Sequence, residues 1–396
     1  MNSTLMDTVT LAGNLSWDMI FGGAFLALLI SVGLYAKAVP QGKGRWWGLA
    51  ALLGVLVLAG QAVGPGWARM LLLDAAAFAA VGLVWIQSEP EVKAAAKTYL
   101  VLLALSVICL AAGQYFGAES EVAPAFPLDK IVVALYVIGF GLKLALVPFY
   151  FWLPGVAEHT KPMTTALIVS IVDIAAFGEL IQLRISSPWV FTSYTALWLT
   201  LALLSMFVGA LLALAQRSLK RMLAYSTIDD MGYLLLGVLI GSQVSLTGAI
   251  LAALSHAFFK VVLFGAVGIA EYRSGHEITL DDCGLAASYP VSSAAFIAGA
   301  LGMIGVPPLF GFVGRWRLYL SGVEFGGIAL ALAMAAATAL ALLYYVRVIH
   351  RVWLGKPEEG VNAAGEPKLA AAVLIVLVVL MLAAGLFPGW LTGLIG

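Results

Sequence analysis

Apolar stretches of roughly twenty residues recur along this chain with short polar loops between them, and this pattern constrains the fold more than any single motif. A bilayer core about 30 Å thick takes about 20 residues of helix. Twelve such stretches are predicted, near 19–37, 46–63, 67–87, 97–116, 130–153, 163–184, 194–215, 222–241, 246–270, 290–313, 325–349 and 368–391. With 62% hydrophobic and 11% charged residues and a mean hydropathy of +1.02, the fold class is an all-α polytopic membrane protein. No loop is long enough to hold a soluble domain.

Lys plus Arg and Asp plus Glu both number 21, so there is no basic excess to attract a phosphate backbone, and nucleic acid is excluded as a partner. The two cysteines, Cys109 in an apolar run and Cys283 in a polar loop, lack metal or disulfide spacing. Neither a Walker A nor a dinucleotide-binding or zinc-protease pattern occurs, so residues for bond-making chemistry are not expected. The first sixteen residues carry Asp7 but no Lys or Arg. A cleaved secretory leader is therefore not expected, and the stretch from about 19 to 37 reads as a retained first span.

Cationic residues orient membrane helices through their cytoplasmic bias. Fourteen Lys and Arg, from Lys37 to Lys368, fall at odd-numbered loops, against five at even-numbered ones: Arg69, Lys130, Arg184, Arg315 and Arg317. Both termini are thus expected on the non-cytoplasmic side of what reads as a bacterial inner membrane.

Two lysines remain inside spans. Lys143, in the run IVVALYVIGFGLKLALVPFYFWLP, is the more telling. A lysine at the centre of a membrane helix costs about 2.5–3.5 kcal/mol on insertion scales. Pro148 and Pro154 follow it and predict a break, which membrane depth tolerates only where protein or a wet cavity surrounds the backbone. Five helices later GMIGVPPLFGFVGRW repeats the pattern with Pro307 and Pro308. An odd offset turns the second copy upside down, giving two inverted repeats whose interrupted helices point to a transport site. The bland alternative is that Pro and Gly are simply common in membrane helices. The expected layout is an N-terminal helix in 1–45, a first five-helix repeat in 46–185 with its broken helix at 130–154, a second in 194–353 with its broken helix at 290–314, and a C-terminal helix at 368–391.

Lys260 lies in LSHAFFKVVLFGAVG with His256 one turn before it, a candidate proton relay. Asp74 stands alone in the third stretch and Asp173 in the sixth, with Glu179 nearer the end of the latter, and two buried acids with two buried bases suggest pairs. Were Asp74 to move between about 4 and 8 Å from Lys143 at an effective dielectric near 20, their interaction would change by about 2 kcal/mol. A swing of that size can load and unload a proton. The structural alternatives are a static ion pair for Asp74, a satisfied core histidine for His256 and a packing role for Asp173. Glu158 and His159, in a cytoplasmic loop with Lys161, form a candidate proton entrance or a merely solvated cluster. Asp229 and Asp230 are read as opening a helix, where carboxylates are ordinary dipole partners. Glu271, Glu277, Asp281 and Asp282 read as an acidic surface loop.

Taken together, GFGLKLALVPFYFWLP with PMTTALIVSIVDIAAFG, then RSLKRMLAYSTIDDMGYLLLG, then LSHAFFKVVLFGAVG running on to GMIGVPPLFGFVGRW, resemble the antiporter-like membrane subunits of respiratory complex I. The same family includes Mrp-type cation/proton antiporters and membrane-bound hydrogenases. The match covers about residues 68 to 320 and is most similar to the smallest of the three antiporter-like subunits of complex I. The resemblance implies two inverted five-helix repeats. It also implies that Lys143 is the broken-helix lysine, Asp74 its partner acid and Lys260 the central lysine of the second half. Two positions depart from the family pattern. Asp173 stands where a Lys or His is usual, and Arg315 replaces a Lys or Glu at the second break. Arginine does not deprotonate in proteins, which puts a proton exit through this residue in doubt. The chain is also about two helices shorter at its beginning than typical members, and it lacks the long lateral helix of the largest.

The expected function is a proton-translocating membrane subunit of a redox-driven, complex I-like assembly, non-catalytic alone. Its expected proton pathway is Asp74, Lys143, Asp173, His256, Lys260 and Arg315. The resemblance implies other membrane subunits as partners, protons or Na⁺ as the coupling ion, and quinone, iron–sulfur clusters or flavin only in those partners. The alternatives are a subunit of a gradient-driven cation/proton antiporter or solute-uptake complex, and a scaffold that has lost conduction.

Overall fold

The computed structural model describes residues 17–87, 89–117, 123–356 and 365–389. The first sixteen residues, on which the leader expectation rests, and the end of the last predicted stretch beyond 389 lie outside them. The described chain is helical, in order α1 (Trp17–Ala38), α2 (Gly44–Ala62), α3 (Trp67–Trp85), α4 (Pro90–Gly117), α5 (Leu128–Lys143), α6 (Trp152–His159), α7 (Pro162–Ser186), α8 (Thr195–Ala215), α9 (Leu219–Ile240), α10 (Gln243–Ser274), α11 (Pro290–Ile304), α12 (Phe310–Trp353) and α13 (Lys368–Leu386). Ten of these are long and apolar enough to cross a membrane. Each predicted stretch has its counterpart.

Burial sorts the helices into layers. α10 is enclosed along its whole apolar window and α9 nearly so, whereas α1, α2, α4 and α12 turn large apolar side chains such as Leu26, Val55, Ile108 and Leu332 outward. Outward Leu, Ile and Val suit hydrocarbon as they would not suit water, so the inner helices alone can carry polar side chains away from lipid. α7 packs against both α3 and α10 and thereby joins the two halves of the bundle. Within it Ile168–Val172 forms one wide π-helical turn, which changes the face on which the following residues emerge.

Both breaks occur, and both are braced by protein. α5 stops at Lys143 and helix resumes at Trp152, with the Trp152 indole N–H donating to the Leu142 carbonyl at 2.8 Å and Val147 N–H to Ser205 Oγ at 3.0 Å. These bonds satisfy backbone that lipid could not. Pro154 does not interrupt anything: it sits in the first turn of α6, where a missing N–H costs nothing. The second break runs from Gly305, whose φ of 88° closes α11 in the left-handed region, through Pro307 and Pro308. α12 then bends at Gly327 (φ 64°), just inside the start of the eleventh predicted stretch.

Three expectations require correction. Asp229 and Asp230 do not open a helix; Ser218 caps α9 by accepting from Arg221 N–H, so both acids lie at mid-helix and are buried. Glu158 and His159 are the last turn of α6 rather than a loop. Glu271 belongs to the last turn of α10, where it pairs with Lys220 at 3.6 Å, whereas Asp281, paired with Arg217 at 2.6 Å, and Asp282, paired with His276 at 2.7 Å, keep to a surface loop.

Candidate functional site

The last residue of α5 carries the first charge. A cation at a helix C-terminus faces the negative end of the helix dipole, which suits Lys143 where the helix breaks. Its Nζ lies 2.6 Å from Asp74 Oδ1 on α3 and 2.7 Å from Glu179 Oε2 on α7. Asp74 was expected, and Glu179 was passed over as lying near a helix end. The two acids differ in access: 4% of the Asp74 side chain and 12% of that of Glu179 is exposed. Glu179 forms part of the wall of a cavity of about 270 Å³, together with Arg69, Gln114, Tyr136 and Gln182. Arg69 also pairs with Asp18 of α1 at 2.7 Å.

Asp173 stays apart from these pairs. It is buried, and neither carboxylate oxygen has a hydrogen-bond partner among the described residues, although it lies within the field of Lys143. The acid–base pairing expected from two buried acids and two buried lysines therefore forms for Lys143 alone.

In the second half Lys260 Nζ donates to neutral oxygens, the Leu223 carbonyl at 2.7 Å and Ser226 Oγ at 2.6 Å. Ser226 also receives the Tyr345 hydroxyl at 3.3 Å. His256 is one turn from Lys260 as expected but turns to α9: its Nδ1 meets Asp230 Oδ2 at 2.7 Å. The neutral ring would then carry its proton on Nδ1, leaving Nε2 as an acceptor. The other Asp230 oxygen takes a 2.6 Å ion pair from Arg315, which also donates to the Met303 carbonyl at 2.8 Å and lies 3.8 Å over the Tyr233 ring. Arg315 thus holds the two segments flanking the second break together, on one carboxylate and one end-of-helix carbonyl. Asp229, rotated about a quarter turn from Asp230, accepts the Tyr344 hydroxyl at 3.1 Å.

At the opposite end from the cavity, Glu158 is held by Arg221 at 2.8 Å with His159 3.8 Å away, and Lys161 donates to the Pro40 carbonyl at 2.8 Å. The sequence reading missed Glu179, Ser226, Tyr344 and Tyr345 and misplaced Asp229 and Asp230. The available signal was the Ser218 cap, which starts α9 early enough to carry both acids to mid-membrane.

Lys143, Lys260 and Arg315 are buried cations on inner or broken helices, with acids or hydroxyls in hydrogen-bond reach. Of these, the two lysine amines can lose a proton when neighbouring side chains move, whereas the guanidinium keeps its charge. Among the described residues no cluster of His, Cys, Asp and Glu suits a metal ion.

Residues 78–341 match the protein family described as NADH:quinone oxidoreductase/Mrp antiporter, TM. The chain is 30% identical over 372 residues to NADH-quinone oxidoreductase subunit N of Desulforudis audaxviator, covering 89% of this chain and 74% of that protein. Its fold is similar to a chain of the Mrp complex from Dietzia sp. (TM-score 0.86, 21% identity, 96% of this chain and 82% of that one). A chain of respiratory complex I from Thermus thermophilus is comparably similar (TM-score 0.84, 22% identity, 96% and 83%).

Proposed function

Because this chain belongs to the family of membrane subunits shared by NADH:quinone oxidoreductases and Mrp antiporters, we propose that it is a proton-translocating subunit of a redox-driven membrane complex. The observation that carries this is Lys143, a buried ammonium held by two carboxylates at the end of an interrupted helix. Moving either carboxylate away by a few ångströms changes the energy of the charged amine by about 2 kcal/mol at an effective dielectric near 20. Loss of its proton then becomes accessible. Asp173, unpartnered on the helix that touches both α3 and α10, is the relay toward Lys260.

In the second half Lys260 is the central site. Its amine has only neutral oxygens in hydrogen-bond reach, so it can release its proton without breaking an ion pair. Arg315 does not carry the proton. Its fixed charge, paired with Asp230, holds the potential felt by His256 and Lys260 near the exit. Glu158 and His159 form the entrance on the odd-loop face. The layout we propose is two inverted five-helix units, 46–185 and 194–353, with both termini on the non-cytoplasmic side.

Quinone, iron–sulfur clusters and flavin belong to partner subunits, and the partners are further membrane subunits of the same assembly. The naming of the Desulforudis relative supports the redox-driven reading over a gradient-driven exchanger. Reconstitution of the complex with Lys143→Ala or Lys260→Ala tests the proposal. Proton uptake per electron pair is expected to fall in both, and normal stoichiometry in both would end it.

A further inference from the structure

The 270 Å³ cavity beside Lys143 lies at the end of the bundle that carries the even-numbered loops. Pro65 and Gly66, between α2 and α3, edge it on one side, and Ser187, after α7, on the other. This is the face opposite Glu158 and His159. Arg69 faces the cavity and is 2% exposed, yet its Nε and Nη1 groups have no hydrogen-bond partner among the described residues. A cavity lined by Arg69 and by the amide side chains of Gln114 and Gln182 is polar enough to hold water. At roughly 30 Å³ each, the volume holds on the order of nine water molecules. Among the described residues, Glu179 is the one that both forms part of this wall and accepts a hydrogen bond from the Lys143 amine.

We propose that Glu179 exchanges protons between this cavity and Lys143, giving the first half an access route from the even-loop face. Lys143 passes its ammonium proton to Glu179, leaving a neutral amine and a carboxylic acid, and both ion pairs of the amine are lost. The acid hands that proton to cavity water as hydronium, and the reverse transfers, water to Glu179 and Glu179 to the amine, restore the ammonium and both pairs. The groups facing Glu179 are Lys143, Arg69 and Asp74, so a change in its charge is felt at once by the amine and by its sealed partner. This inference rests on Lys143 being the titrating group, but access to the cavity is measured independently of pumping.

The test uses the complex in sealed, oriented vesicles, with Cys109 and Cys283 replaced by Ser. Gln182→Cys in the cavity and Pro65→Cys at its exposed edge are treated with a membrane-impermeant methanethiosulfonate from each side. Both cysteines are expected to react at least tenfold faster from the even-loop face. Should Gln182→Cys remain unreactive or react faster from the other face, the route is overturned. Reaction at Pro65→Cys alone would also overturn it, because the mouth would then lead nowhere. In the same vesicles Glu179→Gln is expected to lower proton uptake severalfold and Glu179→Asp to restore much of it. Unchanged uptake in Glu179→Gln would overturn the exchange role. Normal uptake in Lys143→Ala with one-sided labelling intact would instead reject the proposed function and leave the access route standing.

Discussion

The two interrupted helices make an informative contrast. At the first, a lysine ends the helix and sits between two carboxylates, one sealed and one facing a cavity. At the second, an arginine reaches back across the break to one carboxylate and one carbonyl and lies over a tyrosine ring. An ammonium can lose its proton when its partners move, and a guanidinium does not. The same backbone device thus holds a titratable charge in one half and a permanent charge in the other. Under the proposed function, protons in the second half pass through Lys260 and His256 rather than through the broken-helix cation.

The largest expected effect that would break the contrast is on stability. Arg315→Ala leaves Asp230 with only His256 and is expected to cost about 3–5 kcal/mol, as for other buried pairs that lose one member. Thermal unfolding of the purified protein in detergent measures it, and a loss below about 1 kcal/mol would mean that Arg315 does not brace the second break. At the first break the brace is neutral. Trp152→Phe leaves the Leu142 carbonyl without its indole donor and is expected to cost about 1–3 kcal/mol in the same assay.

The smallest effect sets a baseline outside the membrane. His276, in the loop after α10, is hydrogen-bonded to Asp282, which raises its pKa above the ordinary histidine value. A raised folded-state value means that the pair stabilises fully below the unfolded pKa of about 6.5 and that the contribution is lost as pH rises through the folded value. After solvent screening it should not exceed about 0.5 kcal/mol. With the base-catalysed intrinsic rate divided out, protection of residues 276–282 against hydrogen exchange is expected to fall slightly from pH 6 to 8, and His276→Gln should remove that fall.

Much of the fold was legible because apolar length and interrupting prolines act locally. All of the spans and both breaks follow from them. The ion-pair geometry was legible only where a charge stood alone in an apolar run, as Lys143 and Asp74 do. Glu179 was missed because nothing in α7 itself reveals that α5 ends against it. Asp229 and Asp230 were misplaced by one decision, where α9 begins. Pro154 was over-read because a proline breaks a helix interior and is harmless in a first turn. The pairing of His256 with Asp230 rather than Lys260 depends on how α9 and α10 face each other, which no periodicity encodes.

Replacing the Lys143 ammonium by a charge that cannot be released separates a carrier from a fixed charge most directly. In the reconstituted complex, proton uptake per electron pair in Lys143→Arg is expected to fall as far as in Lys143→Ala, although the ion pairs to Asp74 and Glu179 can still form. Uptake at the level of the unmodified protein in Lys143→Arg would contradict a titrating role for Lys143 and leave it as a structural cation like Arg315.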